Sequence, residues 1–250
     1  MKALITGATS GIGRACAELL ASKGYNLIVT GRRKDRLLSL KNDLETKYEV
    51  AVDSYCFDIS KRQEAETALQ NITSKHSDID VLINNAGLAA GLEHVSDGNI
   101  DNWERMIDTN VKGLLYASRV IAKSMKSNKK GQIINISSIA GRESYPNGGV
   151  YCASKHAVQA ITEAMRIELL PDNIRVSSVC PGAVNTEFSL VRFGGDKDKA
   201  DKVYEGFKEL VANDIAEAVY FIISRPAHVN IADMLIMPSA QGSARDIYKK

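Results

Sequence analysis

The chain has little cysteine, little histidine, almost no excess charge and no long apolar run. Its four cysteines, Cys16, Cys56, Cys152 and Cys180, form no C-x-x-C pair, and no histidine stands at ligand spacing from them. A structural zinc site is therefore not expected, nor any other metal. The thiols read as free and mostly buried, in the reducing cytoplasm. With 32 basic against 30 acidic residues the net charge is only +2. A nucleic-acid footprint needs clustered excess base, so no nucleic-acid partner is expected. No apolar stretch approaches the roughly 20 residues that span a bilayer. Strand-like residues begin already at Lys2-Ala3-Leu4-Ile5, so neither a membrane span nor a signal peptide is expected. Repeats, linkers and low-complexity segments are missing too, which leaves residues 1–250 as a single domain.

What is present is an alternation. Short apolar runs at Ala3–Thr6, Asn26–Thr30, Ser54–Asp58, Val81–Asn84, Gln132–Ser137, Arg175–Cys180 and Ala232–Met237 read as strands. Their near-continuous apolar character suits a sheet buried on both faces. Helical patterns lie between them. Ile12, Cys16, Leu19 and Leu20 share one helix face, stopped by Gly24. Trp103–Ser127 and Val150–Leu169 read as two long central helices, and Asp214–Ser224 as a further one capped by Asn213. Such alternation predicts an α/β fold, a doubly wound parallel sheet of Rossmann type. Residues 183–210 break the rhythm, being rich in glycine and charge with scattered aromatics. Following a strand, they read as a mobile substrate loop with short helices, or else as a solvated surface insertion.

The turn Thr6-Gly7-Ala8-Thr9-Ser10-Gly11-Ile12-Gly13 joins the first strand to the first helix. Gly7, Gly11 and Gly13 permit a sharp turn and a close approach of backbone to a pyrophosphate. The following helix start offers free N–H groups, and Thr9 and Ser10 can add hydroxyls. The spacing differs from G-x-G-x-x-G, so the strand–turn–helix context carries the argument. After the second strand a carboxylate would select NAD; here stand Arg32 and Arg33. Two guanidiniums can bind a 2′-phosphate, which points to NADP (NADPH). They could instead open a solvated basic helix, Arg32-Arg33-Lys34-Asp35-Arg36.

Tyr151 and Lys155 are one helical turn apart, with Ser138 thirteen residues upstream of the tyrosine. A phenol with a reference pKa of about 10 is a poor base at neutral pH. The Lys155 ammonium and an oxidised nicotinamide would favour phenolate, making Tyr151 a general acid or base. Ser138 could orient the substrate oxygen. Alone, Tyr-x-x-x-Lys is usually just an amphipathic helix; the glycine turn and the serine change its meaning.

Together these residues resemble the short-chain dehydrogenase/reductases over essentially the whole chain. The glycine turn is similar to the family's T-G-x-x-x-G-x-G, and Asn84-Asn85-Ala86-Gly87 to its N-N-A-G. Asn110, in Thr109-Asn110-Val111, falls where the family has a fourth catalytic residue beside Ser138, Tyr151 and Lys155. The resemblance implies that Asn110 distorts a central helix and holds a water leading to Lys155. It implies Asp58 at the adenine and Asn85, Ala86 and Gly87 along the ribose side. Lys155 would hold the nicotinamide ribose, and Pro181, Gly182 and Thr186 the carboxamide. It also implies a homotetramer formed through the long central helices. The C-terminal Ala244–Tyr248 would cap a neighbouring subunit or be disordered.

A narrower resemblance, in Thr186-Glu187-Phe188-Ser189, Val191-Arg192-Phe193 and Pro226-Ala227-His228-Val229-Asn230-Ile231, is to the NADP-dependent 3-hydroxy acid dehydrogenases. It implies oxidation at C3 of serine, L-allo-threonine, 3-hydroxyisobutyrate or 3-hydroxypropionate, or reduction of malonic semialdehyde. Cys152 departs from it, since relatives tend to carry glycine after the tyrosine. A substrate carboxylate needs a cation, for which Arg142 and Arg192 are candidates; either could be a surface ion-pair partner instead. A 3-oxoacyl carrier-protein reductase or general carbonyl reductase is the alternative within the enzyme class. A non-catalytic NADP(H)-sensing protein is the alternative outside it.

Overall fold

The computed structural model describes residues 1–250. Seven strands form one parallel sheet: β1 (Lys2–Ile5), β2 (Asn26–Gly31), β3 (Val52–Cys56), β4 (Val81–Asn84), β5 (Gly131–Ile136), β6 (Ile174–Pro181) and the last strand, Asp233–Ile236. The spatial order is β3-β2-β1-β4-β5-β6 with Asp233–Ile236 at the edge. The inner strands alternate between two cores, which is why their runs read as continuously apolar. Ala3 and Ile5 of β1, Leu27 and Val29 of β2, and Val81 and Ile83 of β4 face one side. Leu4, Ile28 and Leu82 face the other.

Helices cover both faces. On the first lie α1 (Gly11–Ser22) and α2 (Lys34–Tyr48). On the second lies α3 (Arg62–Lys75). Helices α2 and α3 were not delimited from sequence because most of their residues are polar. Only Leu37, Leu40 and Leu44, and Ala65, Leu69 and Ile72, point inward. That spacing still makes one narrow apolar stripe on each helix.

The expected rod Trp103–Ser127 is interrupted. It consists of α4 (Ile100–Ile107), a π-helical turn at Asp108–Gly113, and α5 (Leu114–Ser127). The widened turn lets buried Asn110 reach across to the chain after β4. Its amide donates to the Leu88 carbonyl (2.8 Å) and Ser154 Oγ (3.0 Å), and its carbonyl accepts from the Leu88 N–H (2.8 Å). Such single-turn bulges tend to mark functional sites. The other long helix, α6, spans Gly149–Glu168.

Residues 183–210 contain two short helices bracketed by a strand pair. These are β7 (Val184–Asn185), α7 (Glu187–Arg192), α8 (Lys197–Lys202) and β8 (Leu210–Val211). The chain then enters α9 (Ala212–Ile223), which packs on the α1 and α2 side, and ends its sheet with β9 (Asp233–Ile236). Asn213 lies inside α9 and does not cap it. Asp214 does that work, its carboxylate accepting from the Val211 N–H at 2.8 Å. From sequence the two adjacent Asx residues compete for the cap; the first turn places Asp214 three residues on, where it reaches back.

Because β1 and β4 are neighbours while their connections leave in opposite directions, a crevice opens at their carboxyl ends. The glycine turn, the end of β5, the start of α6 and the segment after β6 all meet there.

Candidate active site

The crevice is a cleft of about 640 Å³. Its floor is the glycine turn. Gly7 and Gly11 adopt φ of +69° and +53°, which disfavour side chains. A Cβ on Gly7 would lie 2.9 Å from the Ala86 Cα, and one on Gly13 would lie 2.4 Å from the Asn85 amide. The turn is thus pressed against Asn85-Ala86-Gly87. Asn85 donates to the carbonyls of Thr6 (3.0 Å) and Gly7 (3.1 Å), so its amide braces the turn from behind. Thr6 Oγ1 accepts from the N–H groups of Asn85 and Ala86, both at 3.0 Å. Ile12 also lines the cleft. A backbone cradle that excludes side chains, opening a helix, fits a dinucleotide pyrophosphate.

Cations gather at one end. Arg33 donates to Thr9 Oγ1 (2.8 Å) and Ser10 Oγ (2.7 Å). It also pairs with Glu187 at 2.7 Å. Arg36, which sequence reasoning missed, joins the same carboxylate at 2.5 Å. Its place three residues after Arg33, on the same face at the start of α2, was the available signal. Arg32 lies 3.6 Å from Asp58, whose carboxylate also accepts from Ser60. So Arg32, Arg33 and Asp58 all border the cleft beside the glycine turn.

Deeper in, α6 presents Tyr151 and Lys155 on one face, both buried. The Lys155 ammonium donates to the Ile136 carbonyl at 2.9 Å and lies 6.0 Å from the Tyr151 ring centre. Gly87 passes between Lys155 and Asn110; a Cβ there would come within 3.2 Å of Asn110 Oδ1 and 3.5 Å of Lys155 Nζ. Ser138 caps a short 3-10 turn, Ile139–Gly141, through the Ala140 N–H at 3.1 Å. Its hydroxyl donates to the Pro181 carbonyl at 3.4 Å. Pro181, Gly182 and Thr186 line the same cleft.

The electrostatics differ from the expectation that Lys155 lowers the Tyr151 pKa. Burial pushes the Tyr151 phenol above its ordinary value, and Tyr145 adds to this; the Ser138 hydroxyl and the Arg192 guanidinium pull the other way. Burial also pushes the Lys155 ammonium down to about 8. The Lys155 ammonium is turned to the Ile136 carbonyl, while the Arg192 guanidinium lies over the Tyr151 ring.

The two arginine candidates separate. Arg192 lines the cleft, with its guanidinium 5.5 Å from the Tyr151 ring centre and donating to the Tyr145 hydroxyl at 3.0 Å. Arg142 does not line it. That guanidinium is turned to the edge of the sheet and paired with Asp233 of β9. Tyr145 and Phe188, whose ring lies 5.6 Å from that of Tyr151, complete the wall and went unnoticed in the sequence. Tyr145 belongs to no motif, and Phe188 lies in the Thr186–Ser189 stretch with no role of its own assigned there; only the folded cleft gives both a place at the site.

The C-terminal segment packs along its own chain. Gln241 accepts from the Ala183 N–H at 2.9 Å, and the Lys250 N–H donates to the Gly206 carbonyl at 2.8 Å. Ala244, Arg245 and Ile247 reach the cleft mouth.

Residues 1–193 match the family model described as short chain dehydrogenase. Over 248 residues the chain is 45% identical to an NADP-dependent 3-hydroxy acid dehydrogenase of Schizosaccharomyces pombe, covering 99% of this chain and 96% of that protein. It is 42% identical to one from Salmonella typhi, covering 98% and 97%. Among solved structures, the closed form of serine dehydrogenase complexed with NADP+ superposes with a TM-score of 0.92 at 38% identity, over the full length of both chains. Serine dehydrogenase from Escherichia coli gives a TM-score of 0.82 at 34% identity, covering 97% of this chain and all of that one.

Proposed function

Since the chain belongs to the short chain dehydrogenase family, we propose that it is an NADP-dependent oxidoreductase acting at C3 of short 3-hydroxy acids. Serine, L-allo-threonine, 3-hydroxyisobutyrate and 3-hydroxypropionate are the substrates that fit this reading. The observation that carries it is the meeting, in one cleft, of Tyr151, the Ser138 hydroxyl and the Arg192 guanidinium. An acid/base phenol and a cation suited to a carboxylate stand side by side.

The chain's own residues divide the work. The glycine turn with Thr9 and Ser10 receives the pyrophosphate half of the cofactor, and Arg32, Arg33 and Arg36 its 2′-phosphate. When bound, NADP supplies or accepts the hydride. Tyr151 gives its phenolic proton to the substrate oxygen in reduction and takes it back in oxidation. Ser138 orients that oxygen. Lys155, fixed by the Ile136 carbonyl, holds the nicotinamide ribose. Asn110 holds the Gly87–Leu88 segment beside Lys155 through its bonds to Leu88. Arg192 takes the carboxylate bidentately. A plain carbonyl reductase has no use for that cation in its pocket.

The assembly we propose is a cytoplasmic homotetramer. Exposed Leu115 on α5 and Ile167 on α6 support helix-to-helix association. The four free cysteines suit a reducing compartment, and no helix is long and apolar enough to cross a membrane.

Absorbance-monitored NADP reduction tests the reading. L-serine, L-allo-threonine, 3-hydroxyisobutyrate and a simple secondary alcohol should be compared, each also with NAD. Oxidation of the acids with NADP and little of the plain alcohol is expected. Preference for the plain alcohol, or for NAD, would overturn it.

A further inference from the structure

Glu187 opens α7 and had no place in the expected cofactor site. Each of its carboxylate oxygens takes a guanidinium, Oε2 from Arg33 at 2.7 Å and Oε1 from Arg36 at 2.5 Å. Arg33 meanwhile donates to the Thr9 and Ser10 hydroxyls. Two guanidiniums and neighbouring hydroxyls converging on one anion are also what a phosphate monoester requires. A carboxylate therefore stands among the donors that the proposed function gives to the 2′-phosphate. The hydrogen bond from Arg33, helped by Arg36, lowers the Glu187 pKa to about 2. It stays ionised at any working pH, so protonation cannot relieve its repulsion of a phosphate.

The position of Glu187 in the chain matters as much. A Cβ on Gly11 would lie 3.3 Å from the Thr186 side chain, so residues 186–187 cross directly over the glycine turn. At the other end of the same short helix, Arg192 lies over the Tyr151 ring, and its carbonyl accepts from the Gly91 N–H at 3.0 Å. Six helical residues span only about 9 Å. One rigid element thus carries an acid held by the cofactor-end arginines and a cation held at the reacting end.

We propose that Glu187 is a cofactor-selecting residue, competing with the 2′-phosphate for Arg33 and Arg36, and that its displacement by that phosphate shifts α7 and with it Arg192. The proposal rests on the NADP reading above. A dinucleotide with a free 2′-hydroxyl has no group to displace Glu187, so it leaves α7 in place. NADP then binds against a built-in competitor, and its phosphate acts on the substrate end as well as on affinity.

The test combines fluorescence titration of NADPH and NADH with tryptic cleavage at Lys197, Lys199 and Lys202 of α8, the short helix that follows α7. Wild type, Glu187→Gln and Glu187→Asp are compared. The pair is partly exposed, with 39% of the Glu187 side chain accessible, so the effect is modest. In Glu187→Gln the NADPH dissociation constant should fall on the order of fivefold while that for NADH holds. In wild type, 2′,5′-ADP should change the cleavage rate and ADP should not; in Glu187→Gln the two nucleotides should act alike. Glu187→Asp keeps the charge with a shorter reach and should fall between. An unchanged or raised NADPH constant in Glu187→Gln, with NADH unaffected, would overturn the proposal. So would equal effects of 2′,5′-ADP and ADP on wild type. Loss of both cofactors in both variants would mark a folding role and overturn it as well. Failure of the underlying reading is separate: wild type itself would then show no preference for NADPH.

Discussion

Replacing Arg192 by methionine isolates the cation over Tyr151. Methionine keeps most of the side chain's length and its apolar contact with the tyrosine rings, and removes only the guanidinium. Two effects follow from the geometry. A charge-assisted hydrogen bond to a substrate carboxylate contributes roughly 1.5–3 kcal/mol. At about 1.4 kcal/mol per tenfold, kcat/KM for a 3-hydroxy acid should fall by roughly 10- to 150-fold. A secondary alcohol without a carboxylate should lose far less. The second effect concerns the phenol. Arg192 is one of the groups that pull the Tyr151 pKa down against burial. Without it the phenolate forms at higher pH, so the rising limb of the oxidation rate should move to more alkaline pH. Initial rates for L-allo-threonine and a plain alcohol, each across pH, measure both. An equal loss for the two substrates with an unmoved profile would show that Arg192 only supports Tyr145, and the carboxylate assignment would be refuted.

Other predictions follow from the same geometry. Tyr151→Phe should lower turnover by about 10²–10⁴-fold while NADPH binding, followed by fluorescence, stays close to wild type; retained turnover would move the acid/base role elsewhere. Neutralising Arg32 and Arg33 together should raise the KM for NADP far more than that for NAD, and adding Arg36→Gln should widen the gap; parallel changes would refute a phosphate site. Asn110→Leu should cost about 2–4 kcal/mol in denaturant unfolding, because it strands the buried N–H and carbonyl of Leu88. Lys155 has a folded pKa of about 8, below its ordinary 10.5, so between those values the unfolded chain binds more protons than the native one. Its contribution to stability should therefore rise with pH from about 8 to 10.5, the penalty for burying it charged being full below that window. The stability gap between wild type and Lys155→Met, measured by unfolding at several pH values, should change in wild type's favour across that window and not below it.

Much of the fold was legible because it depends on local pattern. All seven strands of the large sheet lie where apolar runs bounded by turn residues placed them, with ends shifted by a residue or two, as for β3, which starts at Val52. Gly7, Gly11 and Gly13 could be read as a turn because glycine's steric freedom is a property of the residue itself. Helices α2 and α3 were harder, since a stripe of three inward residues is easily lost among charges.

The sequence by itself determined the sheet, the glycine cradle and the helix face shared by Tyr151 and Lys155, all set by steric preference and by the periods of helix and strand. Tertiary structure decided the rest, because charge and hydrogen bonding act through space. Arg142 and Arg192 are equivalent as letters; only the packing of β9 and α7 sends one to Asp233 and the other to the cleft. Asn110 required a widened turn because Leu88, 22 residues away, presents a backbone that needs its amide. Glu187 meets Arg33 across 154 residues of chain, a pairing that no local spacing encodes and that only the crossing of α7 over the glycine turn creates.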